Sequence, residues 1–166
     1  MGYLVNRDYQ IRPIKPQDNA PLQWIVRKVM KEFGVCDTSC ETDGSEMKDF
    51  YITFTQSKSA YFVVTQQEKI FGGGGIIPLQ PGDENTCELQ KMYLLPEIRG
   101  IGLGQKLLEK CLQTAKECGY KSCYLETSRS MAQAQRLYVK NGFRLISNPM
   151  GKRGLSGCDQ WYVKQL

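Results

Sequence analysis

The hydrophobic period of the chain changes in the middle of residues 86–117. TCELQKMYLL reads as a strand, whereas Leu103, Leu107, Leu108, Cys111, Leu112 and Ala115 recur at three- and four-residue spacing, a helical stripe that ends near Gly119. Between the two lies EIRGIGLG, residues 97–104, with three glycines at alternate positions. Ordered glycine costs backbone entropy, so such a junction is either a flexible loop or a backbone that something approaches closely. The first turn of the following helix has N–H groups without intrahelical partners and the positive end of the dipole, a setting that favours an anion.

The rest of the chain can be placed around this unit. Tyr9 to Ile14 alternate as a short first strand, and Asp18 is a plausible cap for a helix in which Leu22, Ile25, Val26, Val29, Met30 and Phe33 share a face closed by Gly34. A weaker helical stretch follows from Glu46 to Gln56. SAYFVVTQ, KIFGGGGIIPLQ and TCELQKMYLL, separated by QEK and PGDEN, read as an antiparallel meander. After the helix, KSCYLETS is a strand, and Ser130 caps a shorter helix carrying Met131, Ala134, Leu137 and Tyr138, stopped by Asn141-Gly142. FRLIS and CDQWYVKQL supply two last strands, joined through PMGKRGLSG as a hairpin loop. The expectation is a single α/β domain over residues 1–166: a mixed, mostly antiparallel central sheet flanked by helices on both faces.

Composition narrows the function. The 166 residues are 41% hydrophobic and 23% charged, and none of the runs approaches the roughly 18–20 apolar residues a membrane helix needs, so a soluble, cytoplasmic protein without a membrane partner is expected. The net charge of +5 is scattered and not interleaved with aromatics, which suits a small anionic ligand and argues against nucleic acid. Seven cysteines, an odd number, fall largely within apolar patterns and read as reduced, buried thiols, Cys158 among the structural ones. Cys36 and Cys40 form a C-x3-C pair, but no second pair follows and histidine is absent, so no metal site is expected. Without histidine, proton transfer near neutral pH falls to a carboxylate, tyrosine, cysteine, lysine or a relayed water. Gly72 to Gly75 form a second bare stretch, to be explained as a bulge, a close approach of backbone or acceptor, or a flexible turn.

A phosphate loop of the Walker type is excluded, because Gln105 follows Gly104 where lysine is required. A dinucleotide fingerprint matches at Gly100 and Gly102, with Glu126 at a suggestive distance, but Gln105 breaks its third glycine. Arg99, Gly102 and Gly104 fit the pattern Arg/Gln-x-x-Gly-x-Gly/Ala, and with LQKMYLLPEIRGIGLGQKLLEKCL around them and AQRLYVKNGFRL downstream the chain resembles the GNAT acetyltransferases from about Gln10 to Ile146.

That resemblance implies transfer of an acetyl group from acetyl-CoA to an amine, on a small molecule or a peptide, by direct attack in a ternary complex. It implies that Arg99, Gly100, Ile101, Gly102, Leu103 and Gly104 wrap the CoA diphosphate, and that Met92, Tyr93 and Leu94 pair through their backbone with the pantetheine arm at a splayed strand edge, where a main-chain N–H also serves the thioester oxygen. Tyr138 becomes the general acid. Glu88 is the expected base, with Glu126 and a water relay as alternatives. A monomer or homodimer is compatible with all of this. A non-catalytic acyl-CoA sensor on the same fold and a nucleotide-binding oxidoreductase are the competing functions.

Overall fold

The structure is a computed structural model describing residues 8–35, 49–151 and 158–166. Seven strands make one sheet: β1 (Gln10–Pro13), β2 (Ala60–Gln66), β3 (Lys69–Pro78), β4 (Thr86–Leu94), β5 (Ser122–Thr127), β6 (Arg144–Ile146) and β7 (Gln160–Gln165), in the order β1-β2-β3-β4-β5-β7-β6. β1 to β4 pair antiparallel, as the alternating runs and short turns between them require. β4 and β5 are parallel neighbours, because the helix after the glycine loop carries the chain back over the sheet before β5 begins.

The helices among the described residues are α1 (Asn19–Glu32), α2 (Phe50–Phe54), α3 (Leu103–Glu117) and α4 (Ala132–Lys140). Successive strand residues point to opposite faces. Tyr61 accordingly packs against Phe50 and Phe54 of α2, while its neighbour Phe62 lies under Lys110 of α3. The sheet is thus covered on both sides. The apolar stripe of α3 is buried along its length, from Leu103 through Leu107, Leu108, Cys111 and Leu112 to Ala115. Among the described residues all five cysteines are free thiols; burial pushes the Cys111 thiol up to about 12, so it packs as a small neutral side chain.

Two expected caps are corrected. Asp18 stands at the cap position of α1 but its side chain does not cap: the residue closes a 3-10 turn, Pro16–Asp18, and its carboxylate reaches back to Arg12 (2.7 and 2.9 Å) and to the Lys15 N–H (2.7 Å). Ser130 precedes the cap position, which Met131 occupies, and its hydroxyl donates to the Phe33 carbonyl at 2.8 Å. The helical stretch expected from Glu46 is seen as the five residues of α2, capped by Asp49 through the Ile52 N–H. Glu46, Cys36, Cys40 and most of PMGKRGLSG lie outside the described residues. Among those described, no helix is long and apolar enough to cross a membrane.

Gly72 to Gly75 lie inside β3 and face close neighbours. A Cβ on Gly73 would come 2.5 Å from Cε1 of Tyr61, and one on Gly75 would come 2.6 Å from its Cδ2. The flexible-turn explanation therefore fails, and close approach is the cause. Bulges accompany it: the β2–β3 register shifts at Val64/Thr65 and the β3–β4 register shifts between Gly73 and Gly75.

Candidate active site

β4 and β5 separate partway along. Their parallel pairing runs from Thr86↔Ser122 to Leu89↔Leu125 and stops, although β4 continues to Leu94 and β5 to Thr127. A cavity of about 310 Å³ runs along the end of β4 that this leaves unpaired. Met92, Tyr93 and Leu94 line it from β4, Val29 from α1 with Phe33 just past its end, and Ala134, Leu137 and Tyr138 from α4. Arg99, Gly100, Gly102, Gly104 and Gln105 form another wall, and Met131, Gln133 and Lys140 complete the lining.

Gly100 and Gly102 have φ of +73° and +87°, a conformation L side chains rarely adopt, and Gly102 stands at the cap position of α3. It offers no side chain to the first turn, whose N–H groups have no intrahelical partner, and Gly104 and Gln105 of that turn line the cavity. The rest of the loop divides: Ile101 points to solvent, 51% exposed, while Leu103 joins the core as the first residue of the α3 stripe. The Arg99 side chain turns away to Glu32 at the end of α1 (2.7 and 2.9 Å), donates from Nε to the Leu94 carbonyl (2.9 Å), and lies 5.2 Å above the Phe33 ring.

Tyr138 is 6% exposed, held between Phe143 and Tyr162 at ring separations of 5.8 and 6.4 Å. Burial, helped by the thiols of Cys111, Cys123 and Cys158, raises its phenol well above the ordinary value, so it keeps its proton at neutral pH. Together with Met92, Tyr93 and Met131 it also borders a second, smaller chamber of about 40 Å³. The far side of that chamber carries Glu126, Thr127, Ser128 and Cys158.

The two candidate bases occupy different places on one sheet face. Glu126 lines the small chamber, its Oε1 accepting from the Tyr124 hydroxyl at 2.8 Å. Glu88 is 3% exposed, pairs in register with Tyr124, and is not among the residues lining either cavity. Burial and then the bond to Glu126 raise the Tyr124 phenol, so it stays a donor between the carboxylates. Cys158, assigned to structure from the sequence, is half-buried at the same chamber.

Sequence reasoning did not find the amide pair that joins α3 to α4. Gln105 Nε2 donates to Asn141 Oδ1 and Asn141 Nδ2 donates to Gln105 Oε1, both at 2.8 Å. In the sequence these residues registered only as a broken fingerprint position and a helix stop; 36 positions apart, they carry no pattern that links them.

The family model of the acetyltransferase (GNAT) family matches residues 26–143. The chain belongs to the GNAT acetyltransferases. This GNAT chain is 36% identical over 157 residues to the uncharacterised N-acetyltransferase YjgM of Escherichia coli K12, covering 94% of each. In fold it resembles a GNAT acetyltransferase of Staphylococcus aureus Mu50, with a TM-score of 0.83, 24% identity and coverage of 95% of this chain and 98% of that one. It also resembles YncA of Salmonella typhimurium, an acetyltransferase solved with acetyl-CoA, with a TM-score of 0.77, 20% identity and coverage of 95% and 93%. GNAT membership makes the chain an acyltransferase of a family that draws on acetyl-CoA, and it removes the oxidoreductase reading. The residues present fit such a cosubstrate: a helix N-terminus without a side-chain cap for the diphosphate, and a largely apolar passage along the unpaired end of β4 for a thin extended arm.

Proposed function

We propose that this GNAT protein transfers an acetyl group from acetyl-CoA to an amine, in a small molecule or a peptide, by direct attack in a ternary complex. One observation carries the reading: a single cavity joins the N-terminus of α3 to the unpaired length of β4 and to Tyr138, and Tyr138 is shared with a chamber holding a carboxylate. When bound, the thioester supplies the activated acyl group.

The protein's part is positioning and proton management. N–H groups of the Gly102–Gln105 turn hold the diphosphate, and the main chain of Met92 to Leu94 aligns the arm as a strand would. The Met92 N–H donates to the thioester oxygen as negative charge develops there. Tyr138, kept protonated by burial, gives its proton to the departing sulfur. On the opposite side, Glu126 at the chamber wall and Glu88 behind Tyr124 form the carboxylate pair that relieves an ammonium acceptor of its proton, Glu126 making the direct contact and Glu88 serving from behind.

A CoA-release assay over a panel of amines tests this directly. Turnover on at least one amine, together with saturable acetyl-CoA binding, is expected. Tight acetyl-CoA binding with no turnover on any acceptor would instead identify a sensor.

A further inference from the structure

Tyr61 lies on β2, two strands away from the cavity, and is 2% exposed. The aromatic rings of α2 pack over it, and beneath it Gly73 and Gly75 leave β3 without side chains, so the ring crosses that strand flat. Its hydroxyl emerges at β4 and donates to the Lys91 carbonyl at 2.7 Å. Lys91 forms the bulge: Gly73 pairs with Tyr93 and Gly75 with Gln90, so Lys91 and Met92 together oppose Gly74. Lys91 has φ of +52°, a region that a lysine occupies only when its surroundings hold it there.

The Lys91 carbonyl and the Met92 N–H belong to one peptide unit, which is planar and trans, so they point in opposite directions. Fixing the carbonyl fixes the N–H. From this geometry we infer that Tyr61 is a positioning residue for acyl transfer, holding the Lys91–Met92 peptide so that the Met92 N–H is aimed before the thioester arrives. The inference rests on the reading above in which that N–H is the donor to the thioester oxygen. Gly74 leaves Met92 the room to sit there, since a Cβ on it would stand 3.1 Å from Met92 Cβ.

The test is Tyr61→Phe, which keeps the ring and removes the hydroxyl. The probes are CoA, which has no acyl carbonyl, and acetyl-CoA labelled with 13C at that carbonyl. In the wild type, binding lowers the stretching frequency of the labelled carbonyl; in Tyr61→Phe that shift shrinks, and acetyl-CoA loses about threefold to tenfold in affinity relative to CoA while CoA affinity itself is kept. Equal frequency shifts in the two proteins, or a parallel loss of affinity for both ligands, overturn the assignment and leave Tyr61 a packing residue. No shift in the wild type itself is the separate outcome that removes the Met92 donor, and the inference with it.

Discussion

The Arg99 guanidinium meets the Glu32 carboxylate through two parallel hydrogen bonds of 2.7 and 2.9 Å, tying the glycine loop to the last turn of α1. The planar fork and its stacking on Phe33 are properties lysine lacks. Arg99→Lys is therefore expected to weaken CoA binding about threefold to tenfold despite retaining the charge, and Glu32→Gln, at an exposed position, about twofold. Calorimetric titration with CoA measures both. Unchanged affinity in Arg99→Lys would mean that the clamp does not shape the loop.

Gly104 separates folding from binding, which Gly102 cannot, because any side chain at a φ of +87° strains the turn. A Cβ at Gly104 meets only Leu137 and Leu94, at 3.5 and 3.6 Å, ordinary contact distances. Gly104→Ala should raise the melting temperature slightly, since alanine favours a helix by about 0.5–1 kcal/mol. Gly104→Asp, equally compatible with a helix N-terminus, should weaken CoA binding about a hundredfold at low salt by setting a carboxylate against the diphosphate. CoA affinity indifferent to the aspartate places the diphosphate elsewhere.

Tyr138→Phe should lower kcat about tenfold to a hundredfold and leave CoA affinity within about twofold. Because burial raises the phenol, no limb of the pH profile between neutrality and pH 9 should belong to it, and the variant should keep the wild-type profile shape. Full activity in the variant removes the acid.

The carboxylate pair is resolved by comparing Glu126→Gln with Glu88→Gln on the best amine of the panel. The chamber geometry predicts the larger loss of kcat/KM, about a hundredfold, for Glu126→Gln. A larger loss in Glu88→Gln would reverse the order of contact.

At Asp18, burial draws the carboxyl upward, but Arg12 and the Lys15 N–H draw it down further, and the net value lies below the ordinary one. A depressed folded value means stability present above the unfolded pKa and lost as the pH falls through the folded one. Asp18→Asn should cost about 1–3 kcal/mol in urea unfolding at pH 7, and the gap from wild type should narrow once the pH drops below about 4.

Periodic segments declared themselves in the sequence because burial on one face writes a pattern into them: α1, α3 and the meander stand where Leu22, Leu107 and SAYFVVTQ put them. The glycine loop was legible for the same kind of reason, since positive φ leaves few alternatives to glycine. Long-range polar partners were not. The Arg99 guanidinium goes to Glu32, 67 positions away, and the Ser130 hydroxyl to the Phe33 carbonyl, 97 positions away; Asp18, a cap by its chemistry, is claimed by Arg12 only six positions back. Glu88 and Glu126 looked alike as acids near strand ends. Only the stop of the β4–β5 ladder at Leu89↔Leu125 distinguishes the one beside the opening from the one behind it.

The flat crossing of β3 by Tyr61 also binds positions that lie on separate strands into one heritable unit. A related protein in which the counterpart of Gly73 or Gly75 has gained a side chain must have given up the large ring at the counterpart of Tyr61 and also moved the β2 main chain, because the Phe62 and Ala60 carbonyls crowd the same space, so the glycines and the ring are expected to persist together.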